Sequence, residues 1–202
     1  FDYPNAAATY EELLTLARSQ ENFFNEGSYL QKLAEIYQQS SEPENALRIE
    51  QQLADSYLRN QQIQNLPALK LSIAADYQAL KQPEKASQNY QEAFALAWSS
   101  QQLAVAADAL LKLGDLYRSY NQKNYALAVY QELLKVEQMS YNFYGLMNTY
   151  DRIGQIYLEQ KNYPQALAAF QKGLELAKSL KYQQDYFISQ IEQVNKKRTG
   201  QN

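Results

Sequence analysis

The 202-residue chain has no cysteine and no histidine. These two absences exclude disulfides, thiolate nucleophiles and the commonest zinc ligands. They also exclude every Ser-His or Cys-His catalytic pairing. No apolar run approaches the ~18 residues of a membrane span. No basic stripe stands out, the formal charge is −3 and the pI is near 5.2. Nonspecific nucleic-acid binding depends on neutralising phosphates, so this balance argues against it. Gln and Tyr are abundant, but they fall within periodic segments and not in low-complexity tracts. The length suits one elongated array and leaves no room for a catalytic domain beside it.

What is present is a register. Tyr37, Tyr77, Tyr117 and Tyr157 recur every 40 residues, each followed nine positions later by Ala46, Ala86, Ala126 and Ala166. Ala6 extends the alanine series toward the N-terminus. Units counted from Gly27, Pro67, Ala107 and Met147 align further columns. Position 7 holds Leu33, Ile73, Leu113 and Ile153, and position 8 holds Ala34, Ala74, Gly114 and Gly154. Position 24 holds Glu50, Tyr90, Tyr130 and Phe170; position 27 holds Leu53, Ala93, Leu133 and Gly173. Positions 4, 7, 8 and 11 share one helix face, and so do 20, 24 and 27. Each unit therefore reads as two antiparallel helices, A then B. The small residues at 8 and 20 predict close approach of the two helices, with the position-11 tyrosine filling the space beside them. Pro43, Pro83 and Pro164 stand at the start of helix B, where a missing N–H is harmless. Glu50 and Lys70 depart from columns that are otherwise apolar or aromatic.

These columns resemble the tetratricopeptide repeat. The best single match is Tyr150-x-x-Ile153-Gly154-x-x-Tyr157, continuing to Tyr163-Pro164-x-Ala166 and Phe170. The family's usual period is about 34; the longer period here resembles that of kinesin light chain, Pins-type adaptors and bacterial Rap-type regulators. The resemblance covers nearly the whole chain. It implies an all-α fold, a right-handed superhelix of antiparallel helix pairs (an α-solenoid). Residues 1–26 form a partial repeat supplying helix B only. Residues 27–66, 67–106, 107–146 and 147–186 form full repeats, and 187–202 a terminal capping helix with a frayed basic tail. Residues 2–10 align with 162–170, so the chain reads as starting at an A–B turn, as a fragment of a longer protein. The side chains of Tyr3, Tyr10 and Leu14 are then expected to be partly uncovered, favouring self-association.

The resemblance also implies a ligand surface, the concave face of the A helices. Its predicted members are Leu71, Ala75, Leu111, Asp115, Arg118, Asn148, Asp151, Arg152 and Gln155. The expected function is a non-enzymatic module that binds a peptide or helical segment of another protein, with no cofactor, metal or nucleic acid. Apolar anchoring falls to Leu71, Ala75 and Leu111, and selectivity to Asp115, Asp151 and Arg152. The alternative is a regulatory sensor domain whose superhelix changes on binding a small peptide or its own output domain. The carboxylate clamp of chaperone cochaperones does not fit. Its cationic positions are occupied by Gln31, Glu35, Ser72, Asp108 and Lys112 in one frame, and by Leu71, Ala75, Lys112, Asn148 and Arg152 in the next. Asp108 and Lys112 read as an i,i+4 surface pair, and Asp115 and Arg118 as an i,i+3 pair. Tyr141, Phe143 and Tyr144 lie off the columns and are expected to fill the gap between successive units, the alternative being an exposed aromatic cluster that anchors a partner.

Overall fold

The computed structural model describes residues 2–200, and among these every regular element is helical. In chain order they are α1 (Tyr3–Ser19), α2 (Phe23–Gln39), α3 (Pro43–Arg59), α4 (Leu66–Ala79) and α5 (Pro83–Ser99). Then follow α6 (Leu103–Ser119), α7 (Lys123–Met139), α8 (Phe143–Glu159), α9 (Tyr163–Leu180) and α10 (Gln184–Thr199). The 40-residue period is thus two equal halves, because helices begin at 3, 23, 43, 83, 103, 123, 143 and 163. The one irregular start has a local cause. A 3₁₀ turn, Ile63–Asn65, precedes α4, which places Pro67 in the helix's first turn, where it has no N–H to lose. Unit boundaries at 27, 107 and 147 fall inside the A helices, about one turn past their starts, and 67 falls one residue past the start of α4.

The turns are built without glycine. Glu21, Ser41, Gln61, Lys81, Gln101, Asn121, Tyr141 and Lys161 all adopt left-handed backbone, with φ from 53° to 59°. Each costs about 1 kcal/mol for a residue with a Cβ. Paired hydrogen bonds offset that cost. At the end of α1, Asn22 N–H donates to the Ala17 carbonyl at 2.9 Å and Glu21 N–H to that of Arg18 at 3.1 Å. Two carbonyls that the helix end leaves orphaned are thereby satisfied. At the other ends, Asp2, Asn22 and Asn142 cap helices by accepting from the N–H three residues ahead.

The chain forms two compact units that divide between Val105 and Ala106. In the first, α1 to α5 pack each on the next around Leu30, Leu33, Ala46, Ile49 and Leu53. In the second, α7 to α10 do the same around Met147, Ala166, Phe170, Phe187 and Val194. The small residues of position 8 have the role expected, but their neighbour is not the position-11 tyrosine. The ring against Gly114 is that of Tyr130, and the ring against Gly154 is that of Phe170, both from position 24. Tyr37 is buried, whereas Tyr77, Tyr117 and Tyr157 are half-buried at the margin. There Tyr77 takes Lys85 over its ring, and Tyr117 packs on Tyr125.

At the start of α1, Tyr3 and Tyr10 are half-buried, Tyr10 against Tyr29, as the expected partial exposure requires, whereas Leu14 is buried. At the C-terminus α10 continues through Lys196, Lys197 and Arg198 and ends on Gly200 in left-handed backbone. Cations in a last turn complement the helix dipole, so this tail is a helix end and not a frayed one. Tyr141, Phe143 and Tyr144 do not fill a gap, being 78%, 49% and 53% exposed.

Candidate binding site

In the second unit, the A-helix positions expected to face a ligand bond to one another across repeats. Asp115 of α6 accepts two hydrogen bonds from the Arg152 guanidinium of α8, at 3.0 and 3.3 Å. It also accepts from the phenol of Tyr130 at 2.5 Å. Burial first, and then this carboxylate, push the Tyr130 hydroxyl well above its ordinary value. Arg118 does not pair with Asp115. It reaches Glu159 at 2.8 Å, which Lys123 also approaches at 3.1 Å. Asp151 accepts from Tyr186 of α10 at 2.7 Å, and Gln155 donates to Gln190 at 3.0 Å. Lys112 and Asp108 do form the local pair expected, at 3.8 Å. Leu111 is half-buried and Asn148 exposed in this unit; Leu71 is half-buried and Ala75 exposed in the first.

This network changes the expectation for Asp115. A solvent-facing selectivity charge would be replaceable at almost no cost in stability. Asp115 instead holds a buried phenol and a half-buried guanidinium. Asp115→Ala is expected to destabilise by about 1–3 kcal/mol, the range for losing bonds to a charged group and stranding a buried donor. Urea denaturation checks this. Asp108→Ala, which breaks only an exposed pair, is the control and should change stability by less than about 0.5 kcal/mol.

The first unit carries a space for a ligand. A cleft of about 410 Å³ opens there between α2, α3 and α4, within the size range of ligand pockets. Its walls carry Gln31, Glu35 and Gln38 from α2 and Ala68 and Ser72 from α4, all A-helix positions. Sequence reasoning missed the rest of the lining: Glu50, Leu53 and Tyr57 of α3, Gln64, Asn65 and Leu69 before and on α4, and Gln102. One signal for it was in the columns. Position 24 holds a buried ring in the three later units, but Glu50 in this one. A carboxyl is smaller than a tyrosine or phenylalanine ring, and the cleft opens beside it, bordered by Ala34.

Behind the cleft lies a pair of acids. Glu50 is 0% exposed and Asp76 8%. Glu50 Oε1 accepts from the Gln38 amide at 2.7 Å, and the same amide meets Ser72 Oγ. The second oxygens, Glu50 Oε2 and Asp76 Oδ2, are buried with no donor from the rest of the protein. The two acids are neighbours, and a negative charge on each would be neither solvated nor paired there. Burial, with the neighbouring Asp76 charge, pushes Glu50 up to about 8, and burial raises Asp76 to about 6. The pair therefore holds a proton at pH values where an open-chain carboxyl has lost it.

With this geometry in view, the comparisons with known proteins fall into place. Residues 148–180, most of α8 and all of α9, match the family model of the tetratricopeptide repeat. No curated protein matches the sequence significantly. Among solved structures, BtubC (BKLC) from P. vanneervenii is similar at TM-score 0.71 and 15% identity, over 100% of this chain and 85% of that one. The apo form of RapI is similar at TM-score 0.83 and 14% identity, over 98% of this chain and 55% of that one. A Rap protein complexed with competence and sporulation factor reaches TM-score 0.61 and 16% identity, over 93% of this chain and 57% of that one. At such identities the likeness is one of fold. The described residues form an all-α helical-repeat fold without strands, of which residues 148–180 match the tetratricopeptide repeat. Stacked repeats of this kind create extended concave surfaces. No helix among the described residues is long and apolar enough to cross a membrane.

Proposed function

We propose that this chain is a non-enzymatic interaction module that holds a segment of a partner protein in the cleft between α2, α3 and α4. The observation that carries the reading is the chemistry of the lining. The carboxamide residues Gln31, Gln38, Gln64, Asn65 and Gln102 line the cleft together with the apolar Ala34, Leu53 and Leu69. A carboxamide donates and accepts, so a set of them matches a peptide backbone, which offers N–H and C=O groups in alternation. The apolar residues accommodate one side chain of the bound segment. Glu35 is the ionised group at the surface of the cleft, with Lys32 at 2.7 Å on one of its oxygens. The Rap protein solved with competence and sporulation factor adds support, as a protein of similar fold captured with a bound factor.

The test is a selection of peptides from a random library on the intact chain, followed by affinity measurement against a cleft-filling variant. Ala68 is exposed on the cleft wall, so Ala68→Trp adds bulk there without disturbing the core. Binding of the selected peptides is expected to weaken at least about tenfold, a loss of ~1.4 kcal/mol. The melting temperature should stay unchanged. Peptides that bind the variant as well as the native chain would place the ligand surface elsewhere and end this proposal.

A further inference from the structure

We propose that Glu50 and Asp76 form a proton-operated latch between α3 and α4, holding these two walls of the cleft in place while they share a proton and letting them part when that proton leaves. The helices joined by the pair are the ones that carry two walls of the cleft. Glu50 lies on α3 beside Leu53 and Tyr57, and Asp76 one turn beyond Ser72 on the same face of α4. Gln38 ties the third wall to both, through Glu50 and Ser72.

Around the pair, only the neutral Ser72 and Gln38 side chains bond to Glu50, and the rest of the α3–α4 joint is apolar packing that compensates no charge. On α2 the facing groups are the neutral Gln38 and, across the cleft, Glu35 with its partner Lys32. On α3, Arg48 is engaged by Glu11 at 3.3 Å, and Tyr57 is a neutral phenol. On α4, Lys70 pairs with Glu92 of α5 at 2.7 Å, and Lys85 of α5 lies over the Tyr77 ring. The 3₁₀ turn before α4 carries no ionisable side chain. No lysine or arginine therefore stabilises a second negative charge at this point, and water does not reach the two facing oxygens. Two uncompensated charges in such a place repel each other and are unsolvated. Later units place an aromatic ring at the Glu50 column, a contact that no proton controls.

The direction follows from the raised carboxyl. Glu50 sits at about 8 in the folded chain against 4.5 as its ordinary value. The folded state therefore holds a proton that the unfolded chain has released, and the contribution is lost as pH rises toward that value. The latch opens on the alkaline side. It rests on α3 and α4 alone and stands whether or not a peptide occupies the cleft, so its test uses no ligand.

The absence of cysteine makes that test direct. Spin labels on Gln51→Cys of α3 and Ala68→Cys of α4 report the separation of the two walls by double electron–electron resonance. The distance distribution is expected to hold from about pH 6.5 to 7.5, then to lengthen and broaden by about pH 9.5. Glu50→Gln supplies an amide donor to Asp76 and a carbonyl to Gln38 without a titrating proton. In that background the distribution should stay fixed across the range. Asp76→Asn, which removes the facing charge, should move any opening to lower pH or abolish it. Circular dichroism identifies which variants are folded at each pH. A native distribution unchanged to pH 9.5 would overturn the latch. So would a folded Glu50→Gln chain that opens in parallel with the native one. If Glu50→Gln does not fold, an Asp76→Asn transition at the native pH overturns it.

Discussion

Phe170→Ala is expected to lower the stability of the second unit by about 3–5 kcal/mol, the range for truncating a fully buried ring. Phe170 is 0% exposed. Its ring lies against Gly154 of α8, so closely that a Cβ at that glycine would sit 2.6 Å from Phe170 Cε1. Truncation therefore leaves a void bounded on one side by bare helix backbone. No side chain at 154 exists to swing into it, so collapse is limited and the loss falls high in the range. The reverse change is informative as well. Gly154→Leu favours helix by roughly 1 kcal/mol on propensity alone, yet it drives a side chain into the space the ring holds. Overpacking should win, with a net loss of about 1–3 kcal/mol. Urea denaturation of both variants decides, with the midpoint moving and the slope unchanged. A loss below about 1 kcal/mol in both would show that the ring and the glycine are not a packed pair.

Residue columns carried the helical pairs because small and large residues must meet at every crossing. They did not say which large residue meets which small one. Tyr157 shares a face with Gly154 on α8 and Phe170 comes from α9, and only the three-dimensional crossing selects Phe170. The turns were harder to read for a physical reason. Their left-handed residues are Glu, Ser, Gln, Lys, Asn and Tyr, so the usual glycine signal is missing. The spacing within one helix predicts the Asp108–Lys112 pair correctly but not the partners of Asp115 and Arg118. In the fold, A helices of successive repeats are neighbours, and partners stand about one period apart. Asp115 meets Arg152 and Arg118 meets Glu159, at sequence separations of 37 and 41. Gln38 meets Ser72 by the same logic. The cleft was legible only as an anomaly. Glu50 breaks an aromatic column, but sequence alone does not reveal that Asp76 faces it.

Stability of the second unit is expected to fall as pH rises from about 4.5 to about 7, through Glu137. This carboxyl is 5% exposed on α7 and accepts from the Thr149 hydroxyl of α8 at 3.1 Å. It lies under the first turn of α8, where Gly145 makes room; a Cβ there would run into the carboxyl. Burial pushes Glu137 up to about 7, with Thr149 and the Arg152 charge counteracting only in part. The ordinary value in an open chain is 4.5. Between those two values the folded state binds a proton that the unfolded state has lost. Stability is therefore complete below the lower value, declines through the interval and levels off above the upper one. The shift corresponds to a total on the order of 3 kcal/mol. Glu50 titrates in the same direction in the first unit, so the Glu137 share is read as a difference. Glu137→Gln keeps the acceptor for Thr149 and removes the proton. Native and variant chains should be of similar stability at about pH 5, and the variant should gain on the native chain by a few kcal/mol at about pH 8. Denaturation of both across that range is the measurement, and two curves that stay parallel within about 0.5 kcal/mol would show that Glu137 is not the buried acid responsible.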